Sequence, residues 1–168
     1  MGSGQVAAME SADLRALGTT GIQALTTDQI AALSTSQMAT LGTVQLAALS
    51  TDQVLALGTA SIQALGSAQL GALTTAQAAA LSTDQIVARS AAQVSALTAA
   101  QVGALSGTRV AAIETADLAG LNTANVRAME TADVSALTTD QIVALNSQQL
   151  GALTSAQVRA LSTDQIVA

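Results

Sequence analysis

Apolar and polar positions recur along this chain with a period of eight. The phrase Leu81-Ser82-Thr83-Asp84-Gln85-Ile86-Val87-Ala88 returns letter for letter as Leu161 to Ala168, and looser copies fill all 168 residues as 21 octads. Position 1 is taken as Met1, Met9, Leu17 and every eighth residue onward. It is Leu nearly throughout, with Met1, Met9, Met129 and Ile113 as apolar substitutes and Arg89 as the single polar one. Position 6 is Ile, Val, Leu or Met except at Ala78; position 8 is Ala except at Thr40 and Gly120; position 5 is mostly Gln. A strand, alternating faces every residue, would put Ile86 and Ala88 on one side and the neighbouring Leu on the other. A helix advances about 100° per residue. Counted from position 3, positions 8, 5, 1 and 6 then fall at about 140°, 200°, 240° and 300°, one continuous arc, with the variable positions 4 and 7 opposite. The pattern predicts helix.

That helix cannot run on unbroken. Eight residues make about 2.2 turns, so in a continuous helix the apolar arc would rotate by about 80° per octad and no stripe would form. Ser, Thr, Gly and Asn collect at positions 2 and 3, and every octad has a hydroxyl at one or the other. Where position 3 lacks it (Ala91, Ala99, Gly107), position 2 supplies it (Ser90, Thr98, Ser106). An oxygen at each boundary is what repeated helix N-capping requires. A cap at position 2 makes Gln the returning member of a capping box, as in Ser82 with Gln85. A cap at position 3 suits the octads with Glu at position 2 (Glu10, Glu114, Glu130), each paired with an Asp at position 5 (Asp13, Asp117, Asp133). Thr or Ser at position 3 is expected to cap those three octads; elsewhere both positions stand.

Helices of about six residues are unstable alone, so neighbouring octads must stack to bury their arcs. The expected fold is all-α: an octapeptide-repeat α-solenoid, a superhelix of very short capped helices with one per octad. Residues 1–168 are expected to form a single elongated repeat domain of 21 octads, with Leu of position 1 and Ile or Val of position 6 as its inner seam. Leu65 to Ala88 resembles Leu145 to Ala168, which reads as block duplication.

Composition narrows the function. There is no Cys, His, Lys, Trp, Tyr, Phe or Pro. Thiolate metal sites and disulfides are excluded, and aromatic interface hot spots are missing. A net charge of −6 with five Arg disfavours nucleic acid as a partner. No apolar run approaches the ~18 residues of a membrane span, so membrane insertion is not expected. A Ser or Thr nucleophile has neither His nor Lys to activate it, so no enzyme is expected and no catalytic, cofactor or metal residue is assigned.

Three departures from the repeat invite chemistry. Glu114 with Asp117 and Glu130 with Asp133 lie two octads apart, and a coil of two octads per turn would stack them into an oxygen-rich cation site; the plainer reading is helix-start acids. Asp28, Asp52, Asp84, Asp140 and Asp164, all at position 4, are first-turn acids on the exposed arc. Arg89 with Arg109 would make a local groove; the plainer expectation is that Arg89 snorkels to the surface. Thr19, Thr27, Thr35, Thr43, Thr51 and Thr59 at position 3 form a hydroxyl row suited to ordered water or ice, although capping accounts for them too.

The segments Ala24-Leu25-Thr26-Thr27-Asp28-Gln29-Ile30-Ala31-Ala32-Leu33 and Ala136 to Leu145 resemble the Ala-Leu-Thr-Thr-x-Gln-(Ile/Val) octapeptide arrays of long bacterial surface or secreted proteins, often labelled adhesion or haem-utilisation proteins. The resemblance covers essentially the whole chain and implies a surface stalk or spacer. It supplies no haem ligand, since His and Cys are absent and Met1, Met9, Met129 and Met38 sit at seam positions. The whole-octad length and the Met1-Gly2-Ser3-Gly4 start also suit an engineered or excised array. Function is therefore expected to be non-catalytic and structural (spacer, scaffold or self-assembling rod), with end-to-end self-association. The alternative is a binding module of a surface adhesin, or a hydroxyl-ladder surface or ice binder.

Overall fold

The computed structural model describes all 168 residues, and it breaks the chain once per octad into 21 α-helices with no strand. They run from α1 (Ser3–Ala7) through α4 (Thr27–Ala31), α5 (Thr35–Thr40), α12 (Ala91–Ser95), α15 (Thr115–Leu118) and α18 (Thr139–Ala144) to α21 (Thr163–Val167). Most have five or six residues and α15 has four. None is long and apolar enough to cross a membrane.

The break is extended backbone at positions 1 and 2: Leu41 has φ −60° and ψ 137°, Ser82 has φ −72° and ψ 163°. Position 2 is the N-cap residue. Ser82 Oγ accepts from Gln85 N at 3.2 Å while Ser82 N donates to Gln85 Oε1 at 2.9 Å, the reciprocal pair of a capping box. The Glu octads do not differ: Glu10, Glu114 and Glu130 also hold the N-cap position, which corrects the expectation of a cap at position 3. At Glu130 the reason is visible. Its N–H donates to Asp133 Oδ2 at 2.9 Å, so the acid one turn in closes the helix start and no hydroxyl at the cap is needed. One junction departs from the rule: the second and third helices abut at Leu17, and Gly18 at φ 62° turns the chain there.

Each helix packs against the third helix along, α1 on α4, α12 on α15, α18 on α21, and so throughout. The chain is thus an α-solenoid whose turns hold between three and four octads. Every position-6 side chain from Val6 to Ile142 is buried, and position-1 side chains from Leu25 to Leu145 join them. One apolar cluster of 33 residues runs from Val6 to Ala152. Each octad alone buries too little to hold its own helix, and the cluster is what makes the short helices stable.

Candidate functional site

The buried polar chemistry of this solenoid is concentrated at position 5. In all fourteen octads that carry Gln there, Oε1 accepts the position-2 N–H of its own octad at 2.7–3.1 Å. From Gln29 onward the other end of the amide reaches the preceding turn. Gln101 Nε2 donates to the Leu70 carbonyl at 2.9 Å and the Leu73 carbonyl at 2.6 Å, and Gln37 Nε2 donates to Val6 at 2.9 Å and Met9 at 2.8 Å. The targets lie 31 and 28 residues back, at positions 6 and 1 of earlier octads. One amide therefore caps a helix start and bonds two carbonyls of the turn beneath: that of position 1, such as Leu73 in the break between helices, and that of position 6, such as Leu70, which also accepts the Leu73 N–H at 3.2 Å. The capping half of this was legible in the sequence; the ladder between turns was not. Its signal was a polar residue recurring on the apolar arc.

Where Gln is replaced, the substitute decides what happens to the rung. Arg109 keeps it: Nε donates to the Leu81 carbonyl, 28 residues back, at 2.5 Å, and Nη1 to Ser106 Oγ at 3.0 Å. Asn125 keeps half: Nδ2 reaches the Leu97 carbonyl at 2.9 Å, and the buried Oδ1 is left without a partner. Asp133 loses it. It is buried, one oxygen takes the Glu130 N–H, and it has no N–H to offer the turn below. Burial, reinforced by the neighbouring Glu130, raises its pKa against the lowering effect of that hydrogen bond. The backbones of successive turns lie close around these octads. A Cβ on Gly120, in the octad of Asp117, would stand within 2.4 Å of the Ala91 carbonyl oxygen, and one on Gly103, beneath Asn125's octad, within 2.7 Å of that of Ala128. Glycine is required where backbones approach so closely.

Arg89 does not snorkel. It is 3% exposed, within the seam, and its Nε, Nη1 and Nη2 have no hydrogen-bond partner. Burial pulls the guanidinium pKa below its ordinary value, to about 10. Arg109 makes no groove with it, because Arg109 is committed to Leu81 and Ser106.

The remaining sequence candidates are separated by the coil geometry. Glu114/Asp117 and Glu130/Asp133 are 16 residues apart in a coil whose rungs span 28 to 31, so the pairs do not stack as a two-octad turn would have made them. The same spacing winds Thr27, Thr35, Thr43, Thr51 and Thr59 around the coil, each exposed, instead of aligning them in one flat row. Asp28, Asp52, Asp84, Asp140 and Asp164 are exposed first-turn acids. Two surface clefts exist. One of about 310 Å³ is polar, lined by Gly120, Asn122, Thr123, Asn146 and Gln148 among others. The second, of about 440 Å³, is apolar and lies on the last turn among Ile142, Leu150, Val158, Leu161 and Ile166.

Comparison with known proteins gives one family. Its description is the ALTTAQ repeat, and it matches at residues 6–43, 31–59, 46–83, 110–147 and 142–168. No curated protein and no solved structure matches. The segment between the matches, 84–109, holds Arg89 and the three position-3 residues that lack a hydroxyl, Ala91, Ala99 and Gly107.

Proposed function

Because the chain belongs to the ALTTAQ repeat family, we propose that it is a non-catalytic structural protein, a spacer or scaffold whose length is set by its number of octads. The observation that carries this reading is the Gln ladder. The side chains best suited to recognise a ligand, the position-5 amides, are turned inward and committed to the turn below. What faces outward is varied: Ser, Thr, Ala, Gly, scattered charges and isolated apolar side chains such as Val44, Leu55 and Val143, with no one residue type repeated. The resemblance to long bacterial surface arrays supports a place in an extracellular stalk.

The test is small-angle scattering on the full chain and on variants lacking whole octads. Maximum dimension should fall in proportion to the octads removed while the cross-sectional radius stays fixed. A compact particle whose radius changes with length would overturn the reading. A second reading, a binding module, draws on the amide-lined cleft at Asn122, Asn146 and Gln148. It predicts that Gln148→Ala weakens capture of a polar surface polymer and leaves the scattering profile unchanged.

A further inference from the structure

We infer that one joint of the coil is built to open: the contact between the winding of residues 78–105 and the winding of residues 106–133 parts before the joints next to it, leaving folded arrays on both sides. The inference goes beyond the spacer reading and does not depend on it.

At this joint the ladder fails for a whole turn. Gln77, Gln85, Gln93 and Gln101 each donate to at least two carbonyls of the turn beneath, and so do Gln141, Gln149, Gln157 and Gln165. Between these two sets position 5 reads Arg109, Asp117, Asn125 and Asp133. Four octads complete a turn of a coil whose rungs span 28 to 31 residues, so the gap runs all the way round. Ser61, by contrast, is a single interruption between Gln53 and Gln69. Two side-chain hydrogen bonds cross the joint, Arg109 to Leu81 and Asn125 to Leu97. Asp117 and Asp133, ionised, have no N–H to give.

What is buried there also favours opening. Every buried side-chain atom without a hydrogen-bond partner lies in one of these two windings: Arg89 Nε, Nη1 and Nη2 in the lower, Asn125 Oδ1 in the upper. Parting the windings lets water reach them, which recovers a desolvation cost that the neighbouring joints do not carry. The backbones do approach closely at Gly103, Gly107 and Gly120. That approach brings no backbone hydrogen bond between windings, and the glycines inside the helices Ala99–Gly103 and Gly107–Ala111 gain the most freedom on release. The crossing from one winding to the next is loose as well. Ser106 gives its helix no cap bond, its Oγ being taken by Arg109 Nη1, and the helix after it also starts without one, at Glu114. The family matches pass over residues 84–109, so the chain departs from its repeat at this joint.

The test is native-state hydrogen exchange, read by mass spectrometry on the full chain. Helices this short hold only while stacked, so a parted winding exchanges its amides. Residues 106–133 should exchange about tenfold or more faster than residues 34–60, where position 5 is Gln throughout. Asp117→Gln with Asp133→Gln refills two rungs and should bring residues 106–133 toward the slower rate. The reverse exchange, Gln85→Asp with Gln93→Asp, removes the rungs to Val54, Leu57, Ile62 and Leu65 and should create a second fast segment there. If the tight winding does not admit Gln, circular dichroism registers lost helix in the first variant and the reverse variant decides. Uniform protection along the chain would overturn the inference. A reverse variant that creates no fast segment would overturn it too, since missing rungs would then not loosen a joint. Neither result touches the proportionality of length to octad number, so the spacer reading stands or falls separately.

Discussion

Replacing Arg89 with Leu should make this protein considerably more stable. A substitution in the middle of a buried seam ordinarily costs stability. Here the native residue is the misfit. Its guanidinium is 3% exposed and unpartnered, and burial lowers its pKa to about 10. At about 1.4 kcal/mol per pKa unit, a drop of that size costs folding about 3 kcal/mol at neutral pH. The sign follows from the direction. The folded pKa lies below the unfolded one, so the penalty on the charged form is complete below about pH 10 and fades only as pH rises above that value. Leu removes the penalty without opening a cavity, since Leu81 and Leu97 fill the same position one octad on either side and are buried there. For a chain of this length, about 3 kcal/mol corresponds to a rise in Tm of about 6–12 °C. With no Trp or Tyr, unfolding is followed by far-ultraviolet circular dichroism in urea and on heating. Arg89→Lys should recover none of the gain, because it keeps the charge. An Arg89→Leu variant no more stable than its parent would mean that the guanidinium is satisfied in solution, and the argument from an unpaired buried cation would fail.

Two further predictions concern the ladder. Asp133→Asn should stabilise the chain by about 1–2 kcal/mol at neutral pH, because it restores the donor that Asn125 supplies to Leu97 one octad earlier. Since the Asp133 pKa is raised, the native chain's disadvantage is present above that raised value and should vanish on acidification below the ordinary carboxylate range; a urea-midpoint difference that does not narrow at low pH would count against it. Gln101→Leu strands the Thr98 N–H and the Leu73 carbonyl, while the Leu70 carbonyl keeps the Leu73 N–H, and should cost about 2 kcal/mol or more. A loss in urea titration below about 1 kcal/mol would mean that the ladder holds little.

The fold was legible because it depends on local rules. The apolar arc of positions 8, 5, 1 and 6 and the hydroxyls of positions 2 and 3 give a helix and its interruption within eight residues, and both are present from Val6 to Ala168. What lay beyond the sequence depends on the pitch of the coil. Gln101 meets Leu73 only because a turn holds between three and four octads, a number set by how helices settle on one another. The supposed stacking of Glu114 over Glu130 failed for the same reason. Arg89 misled differently: a long cation normally reaches water, but its Cα lies in the inner seam, where its neighbours along the coil are Leu81 and Leu97. Glu130 misled because the Asp133 carboxylate one turn into the helix closes its start from the other side.

The variation at position 5 falls where the backbones of successive windings come close enough to need glycine. Gln acts as a full-thickness washer between successive windings, whereas Asp117, Asn125 and Asp133 are thinner ones placed side by side, and the winding there sits tight enough to need glycine beneath or above it. Axial spacing in such an array is therefore adjustable one residue per octad. Exchanging Asp for Gln, with Ala returned for Gly, should lengthen the rod locally without adding a single repeat.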